Sequence, residues 1–300
     1  MLVVAALGGN ALLRRGEPLE AEVAQRNARV AAEALAVIGR EHRLVVTHGN
    51  GPQIGLLALQ NEAYHDVRGY PLDVLGAESE GMIGYFLEQE LGNALVGRQI
   101  ASLLTQTIVD RRDPAFGHPT KPIGPMYDVD VAHGLASQRG WAIAPDGEGW
   151  RRVVASPAPR AIVELPTIEL LLRNDVIVVC AGGGGIPVAL DESGARHGVE
   201  AVVDKDLATA LLAEKLGADL LVLLTDVAAV ELGWGTPDAR ALREVTAREL
   251  AGHRFASGSM GPKVAAAIGF VANTGKPAAV GALADAAAVV AAKAGTRIVP

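Results

Sequence analysis

The chain opens on Leu2-Val3-Val4-Ala5-Ala6-Leu7-Gly8-Gly9-Asn10, an apolar run that stops on two glycines and an asparagine. An uninterrupted apolar run bounded by turn residues suits a strand buried on both faces, as in a parallel sheet. Glycines at its carboxyl end let backbone N–H groups approach a ligand with no Cβ in the way, and ligands of open α/β sheets bind at that end. An ordinary strand-to-helix turn can be spelled the same way, so the reading depends on whether the chain repeats the device.

It does. Leu44-Val45-Val46-Thr47 reads as a second buried strand and runs into His48-Gly49-Asn50-Gly51-Pro52-Gln53-Ile54-Gly55. Between the two strands, Leu19 to Arg40 carries Val23, Val30, Ala34, Val37 and Ile38 near helical spacing. Two strand–glycine loop–helix units in succession place neighbouring parallel strands side by side, with their loops facing one shared site. The spacing Gly49-x-Gly51-x-x-x-Gly55 also has a rival reading as a loosened dinucleotide fingerprint. That fingerprint needs an acidic residue at the end of the next strand, and Asp66 and Asp73 lie in segments of loop or helical character. His48 suits a hydrogen-bonding orienter better than a catalytic base.

Asp73 to Val96 reads as a long helix in which Gly76, Gly81 and Gly84 admit a close partner, another helix of the chain or a second subunit. Ile100 to Asp110 reads as a strand. From Asp113 to Trp150 the chain is punctuated by Pro114, Pro119, Pro122, Pro125 and Pro145, the mark of an excursion from the sheet. Inside it, Lys121 precedes Pro122-Ile123-Gly124-Pro125. It reads either as a solvated charge or as the residue of a stiffened lid. The chain has 27 basic residues, yet lysine occurs only at 121, 205, 215, 263, 276 and 293, so a lysine inside a motif suggests a need for a compact ammonium.

The strand Val176-Ile177-Val178-Val179-Cys180 leads into Ala181 and four consecutive glycines, Gly182 to Gly185. So flexible a run carries a high entropic cost unless something passes close to the backbone, which points to a ligand. Val202-Val203-Asp204-Lys205-Asp206 opens the helix Leu207 to Leu216, with Asp204 placed to hold Lys205. Leu220 to Thr225 is another apolar strand, and Thr225-Asp226 offers hydrogen-bonding groups for a base or ribose. Gly258-Ser259-Met260-Gly261-Pro262-Lys263 introduces the helix Val264 to Val271, whose amino end offers N–H groups to an anion.

Half of the 300 residues are hydrophobic, enough for one large α/β domain or two smaller ones. A net charge of −7 argues against a nucleic-acid or membrane surface as the main partner. The single cysteine, Cys180, excludes an intramolecular disulfide framework, and neither a leader nor a membrane-length apolar run is present. These features set the expectation of a cytoplasmic protein. There is no Walker A sequence, no protein-kinase catalytic loop and no metal-ligand spacing of His and Cys. What remains is glycine loops after parallel strands together with three lysines in loops or at helix starts. That set suits phosphoryl transfer, which needs mainly positioning and neutralisation of equatorial oxygens.

Ala6-Leu7-Gly8-Gly9-Asn10-Ala11, Thr47 to Gln53, Thr120-Lys121-Pro122-Ile123-Gly124-Pro125, Gly182 to Pro187, Val203-Asp204-Lys205-Asp206 and Phe255 to Lys263 together resemble carbamate kinases, in register over essentially the whole chain. The glycine loops alone would point only to the wider amino-acid-kinase fold. The Lys121 and Met260-to-Lys263 stretches narrow the resemblance.

The resemblance implies a three-layer α/β sandwich around a mainly parallel, eight-stranded sheet, a single domain over 1–300 with a protruding subdomain inserted at 113–150. It further implies reversible phosphoryl transfer between MgATP and carbamate, giving ADP and carbamoyl phosphate, run physiologically towards ATP in arginine catabolism, by a homodimer. Mg²⁺ would bridge the nucleotide phosphates without a dedicated protein cage. On the same analogy Lys121, Lys205 and Lys263 stabilise the phosphoryl group in flight, and Asp204 orders the lysines. Gly8, Gly9, Asn10, Gly49, Asn50, Gly51, Gly182, Gly183 and Gly184 hold phosphate and carbamate, and Thr225, Asp226 and Met260 meet the nucleotide. Carbamate is already an anion and needs no general base. One departure stands out, Glu80 where the family pattern leads one to expect glutamine. Another small-carboxylate kinase, a dinucleotide-dependent oxidoreductase and a silent nucleotide sensor stay open as alternatives.

Overall fold

The opening apolar run becomes β1 (Leu2–Leu7), buried along its whole length, in a computed structural model that describes every residue except Arg15, 64–68 and 256–259, and the side chain of Glu62. β1 is central in an eight-stranded sheet. In spatial order the strands are β15 (Glu244–Thr246), β17 (Thr296–Val299), β16 (Ala278–Ala282), β12 (Leu220–Thr225), β1, β2 (Arg43–His48), β9 (Ile177–Val179) and β3 (Ile100–Ser102). Every neighbouring pair is parallel except β16 with β17.

Strand side chains alternate between faces, and the alternation divides the core in two. Leu2, Val4 and Ala6 pack with α6 (Leu165–Arg173), α7 (Lys205–Lys215), α8 (Ala247–Ala251) and α9 (Met260–Thr274). Val3, Ala5 and Leu7 pack with α2 (Ala21–Glu41), α4 (Leu72–Ala94) and α10 (Ala286–Val290). The result is the expected helix–sheet–helix sandwich. Within α2 the buried stripe is Ala28, Ala31, Ala32, Leu35, Ala36 and Ile38, whereas Val30 and Val37 are exposed.

The stretch expected as one strand from Ile100 to Asp110 is two. β3 ends at Ser102, and β4 (Gln106–Ile108) belongs to a second sheet, ordered β11 (Arg196–Gly198), β10 (Ile186–Leu190), β4, β8 (Ala161–Ile162). The neighbouring strand changes sheet at the same level, since β3 pairs with β9 and β4 pairs with β10, both in parallel. Backbone groups freed at such a crossing must find partners. Thr105 Oγ1 accepts from Ala181 N at 2.9 Å, and Thr105 N donates to Glu80 at 3.2 Å.

The proline-punctuated excursion folds as a small antiparallel sheet, β5 (Lys121–Tyr127), β7 (Gly149–Val154) and β6 (Ala142–Asp146), with α5 (Val129–Arg139) against it. β7 continues past residue 150, the boundary expected for the subdomain. β5 is an edge strand, which tolerates Pro122 and Pro125, and its pairing is irregular around Gly124, whose φ is +72°. Ile123 and Val154 bury themselves with Ile54 and Ala58 of α3 (Gly51–Ala63) and with Leu72 and Leu75 of α4. At the contact a Cβ on Gly55 would collide with the backbone of Gly124. Among the described residues no helix is long and apolar enough to cross a membrane.

Candidate active site

The first two glycine turns lie against each other at the carboxyl ends of β1 and β2. Gly8 N donates to the Leu224 carbonyl at 2.9 Å and Gly49 N to the Leu7 carbonyl at 3.1 Å, so each turn is fastened to the neighbouring strand. A Cβ on Gly49 would sit 3.1 Å from Gly9 N, closer than side chains normally pack. Past the turns begin the short helix α1 (Gly9–Leu12) and α3, whose leading N–H groups have no intrahelical acceptor.

Two side chains brace these turns. Asn50 Nδ2 donates to Ser79 Oγ of α4 at 2.8 Å. Asn10 Nδ2 donates to Asp226 Oδ2 at 2.7 Å, and Thr225 Oγ1 donates to Asp226 Oδ1 at 3.0 Å. Asp226, expected against a base or ribose, therefore ties the end of β12 to the first turn.

The four-glycine run is shaped largely by its own packing. Gly182 N donates to Glu80 Oε1 at 2.8 Å, and Gly184 N donates to the Ala181 carbonyl at 3.1 Å. Of the three glycines expected to bind phosphate, only Gly183 has an N–H with no bond among the described residues. The N–H groups of Gly182 and Gly184 are thus bonded inside the protein. Side chains here would strike His48 and Glu80 from Gly182, Asn50 from Gly183, the Val203 backbone from Gly184 and Thr107 from Gly185. The last three glycines also have positive φ. Close packing on four sides is what makes glycine obligatory, and it brings the turn between Asn50 and the start of α7.

Three lysines from distant parts of the chain meet at the amino end of α7. Asp204 caps that helix, its Oδ1 accepting from Asp206 N at 2.9 Å and Leu207 N at 3.3 Å. Its other oxygen accepts from Lys121 Nζ at 2.6 Å. Lys205, the first residue of α7, donates to Asp206 Oδ1 at 2.7 Å, and Lys263, in the first turn of α9, donates to Asp206 Oδ2 at 3.2 Å. The side chain expected to hold Lys205 is Asp204, but Asp204 bonds Lys121, and Asp206 bonds the other two lysines. Asp206 was visible in the sequence as a flanking acid; that α9 would deliver a second ammonium to it was not.

Electrostatics at this cluster run against solvation. Burial lowers the pKa of Lys205, and the nearby Lys263 ammonium lowers it further, while Asp206 opposes both. Burial raises that of Asp206, but the two ammonium groups outweigh it and hold the carboxyl at about 2. His48 is wholly buried, and desolvation pushes its imidazole down to about 4. Nδ1 lies 3.3 Å from the Gly49 carbonyl, while Nε2 has no partner among the described residues. A neutral, inaccessible ring fits an orienting role and not a general base.

Met260 begins α9 and packs on the core shared by α7 and β12. Ala256, Ser257, Gly258 and Ser259 of the preceding motif lie outside the described residues, as does Asp66. Gly55 meets Gly124 of the excursion, so the third glycine of the dinucleotide-like spacing has a packing role.

Glycine turns at the ends of parallel strands, faced by clustered ammonium groups, define a phosphotransferase site. The sequence model of the amino acid kinase family matches residues 1–281. Carbamate kinase of Rhizobium meliloti (strain 1021) is 57% identical over 99% of this chain and 93% of its own length. That of Haemophilus influenzae is 55% identical over 99% of this chain and 96% of its own. Among solved structures, carbamate kinase from Giardia lamblia bound to citric acid superposes with a TM-score of 0.94 at 41% identity, covering 99% of this chain and 98% of that one. The same protein bound to AMP-PNP gives a TM-score of 0.90 at 42% identity, with the same coverage. The chain belongs to the amino acid kinase family and, within it, to the carbamate kinases.

Proposed function

We propose that this chain catalyses reversible phosphoryl transfer between MgATP and carbamate, giving ADP and carbamoyl phosphate, and that it works physiologically towards ATP, in the breakdown of arginine. The observation that carries the reading is the meeting of Lys121, Lys205 and Lys263 on two carboxylates beside the glycine turns. Three ammoniums against two carboxylates leave an excess of positive charge in a largely buried place, which an anion would relieve.

In the forward direction a carbamate oxygen attacks the γ-phosphorus, the bond to the bridging oxygen breaks, and ADP leaves with that oxygen. The three lysines neutralise the oxygens of the group in flight. Asp204 orders Lys121, and Asp206 orders Lys205 and Lys263. Gly8, Gly9, Asn10, Gly49, Asn50, Gly51 and Gly183 line the phosphate and carbamate side, and Thr225, Asp226 and Met260 the nucleotide side. A divalent ion bound with the nucleotide would supply further charge neutralisation. Asp204 and Asp206 are already engaged by lysines, so the cluster offers no ready-made carboxylate cage for it.

The whole chain would act as one domain, with the segment beginning at 113 serving as a lid that brings Lys121 to the site. It would assemble as a homodimer through the outer face of α4 and the free edge of β3. Met82, Tyr85 and Leu104 are exposed there, and among the described residues β3 ends the sheet with no strand beyond it, its Ser102 N being met by Glu88 at 3.1 Å. Sedimentation at micromolar concentration tests the dimer, and a monomer would remove it. The activity is tested by phosphorylation of ADP with carbamoyl phosphate set beside acetyl phosphate. Rapid ATP formation from the first alone is expected, and equal use of both would return the acceptor to the wider family.

A further inference from the structure

α4 carries a carboxyl group into the interior directly behind the glycine turn. Glu80 is 1% exposed. Its two oxygens bridge the points where two neighbouring strands change sheet, accepting from Gly182 N at 2.8 Å and Thr105 N at 3.2 Å. Gly182 is the first residue of the turn whose next member, Gly183, keeps its N–H free of bonds among the described residues and lies against Asn50. One peptide thus separates Glu80's hydrogen bond from the donor proposed to meet a phosphoryl oxygen.

The groups around this carboxyl do not include a counter-ion bonded to it. Glu164, which precedes α6, disfavours its charge, and Cys180, at the end of β9, is a buried thiol kept uncharged first by burial and then by Glu80 itself. His48, from the end of β2, and Glu80 both crowd the position a Cβ on Gly182 would take, and burial keeps the imidazole neutral. Lys205 is felt at His48 but bonds to Asp206. Desolvation outweighs the two N–H donors and the Thr105 side chain and, with Glu164 adding to it, pushes the Glu80 carboxyl up to about 8. Near neutrality the group is therefore an uncharged acid that still accepts from the turn.

We propose that Glu80 is a positioning residue that links proton binding to the binding of the phosphorylated substrate. Uncharged, it anchors the Gly182–Gly185 turn; once its proton is lost to solvent, it places a negative charge behind the peptide that must receive an anion. Linkage is reciprocal, so a bound oxyanion favours the protonated acid. The inference rests on the phosphotransferase reading of the same turn.

The test compares wild type with Glu80→Gln, following KM for carbamoyl phosphate and kcat separately from pH 6 to 9. In the wild type KM rises about five- to tenfold above pH 7, at the lower end of the usual span of such couplings, and in E80Q it stays about level. kcat follows the same alkaline course in both, since the lysines set it. A parallel rise of KM in both enzymes, or none in the wild type, overturns the proposal. Should E80Q fail to fold, infrared spectra of the wild type at pH 8 decide, with sulfate as a non-titrating probe. The carbonyl band of a protonated carboxyl should gain intensity when sulfate binds, and an unchanged band overturns the link. Absence of turnover with carbamoyl phosphate at every pH would instead remove the functional reading, which leaves the infrared result to judge Glu80.

Discussion

Lys121 Nζ donates to Asp204 Oδ2 at 2.6 Å across 83 residues of chain, joining the excursion to the cap of α7. Asp204 thereby has two separable duties, one oxygen for the helix and one for the lysine. Asn caps a helix about as well as Asp, so Asp204→Asn should leave the melting temperature within about 2 °C, while removing the charge that draws in Lys121. We expect kcat to fall by roughly tenfold or more, on the scale of losing a charge-assisted bond. Asp204→Ala should lose both activity and about 1 kcal/mol of stability. Unchanged turnover in the Asn variant would show that the pair is ornamental.

Lys205→Met should lower kcat by roughly 10²–10³, the scale for one preorganised donor to transition-state charge, with a much smaller effect on nucleotide binding. Asp206→Asn acts on the same lysine indirectly. Removing the carboxylate that supports the Lys205 and Lys263 ammoniums lowers the Lys205 pKa further, so the alkaline fall of kcat should move to lower pH. An unshifted profile would separate Asp206 from Lys205. Lys121→Arg should not restore what Lys121→Ala loses, since a planar fork on a longer stem cannot take an ammonium's place.

Stability should depend on pH through three buried groups of identifiable sign. His48 titrates near 6.5 unfolded and at about 4 folded, so the unfolded chain binds more protons in that interval and stability drops as pH falls through it. Asp206, at about 2 against an ordinary 3.8, adds a further loss below about pH 4. Glu80 has the opposite sign. Its folded value of about 8 lies above the ordinary 4.5, so the folded state holds the extra proton and stability declines as pH rises from about 4.5 to about 8. Thermal melts from pH 4 to 9 check this: E80Q should remove the decline between about 4.5 and 8, and His48→Asn the acid loss between about 6.5 and 4, the two opposing each other where they overlap.

Much of this architecture is spelled locally. The runs at Leu2–Leu7, Arg43–His48 and Leu220–Thr225 contain too little polarity to be anything but strands buried on both faces, and the glycines mark the ends that ligands approach. Residues that depend on a tertiary meeting were less legible. The alanine stripe of α2 is hard to distinguish from background, while Val30 and Val37 look like core and are exposed. Ile100–Asp110 reads as one strand because the switch between sheets is made by bonds to Glu80 and from Ala181, residues far away in sequence. Asp204 reads as the partner of Lys205, and the role of Asp206 is set only when α9 brings Lys263 to it beside Lys205. Gly84 signals a close neighbour without naming it; the neighbour is Ser102 of β3, in the same chain.

The seating of the excursion rests on an equally small feature, the crossing of Gly55 and Gly124. α3 and β5 approach so closely there that a Cβ at position 55 would overlap the Gly124 backbone, which cannot rotate aside as a side chain can. Gly55 lies within α3, where alanine is otherwise the better helix former by roughly 1 kcal/mol. Gly55→Ala should therefore stabilise α3 locally and at the same time lift β5 away, unseating Ile123 and Val154 from their contacts and drawing Lys121 from Asp204. The central sheet, which Gly55 does not touch, should stay intact. We expect near wild-type far-ultraviolet circular dichroism, a loss of kcat approaching that of Lys121→Ala, and faster protease cleavage between residues 113 and 150. In the wild type MgADP with carbamoyl phosphate should suppress that cleavage by favouring the seated state, and in G55A the protection should be weaker. If G55A kept full activity and wild-type resistance to cleavage, β5 would not need its close seat on α3, and Lys121 would reach Asp204 by some other support.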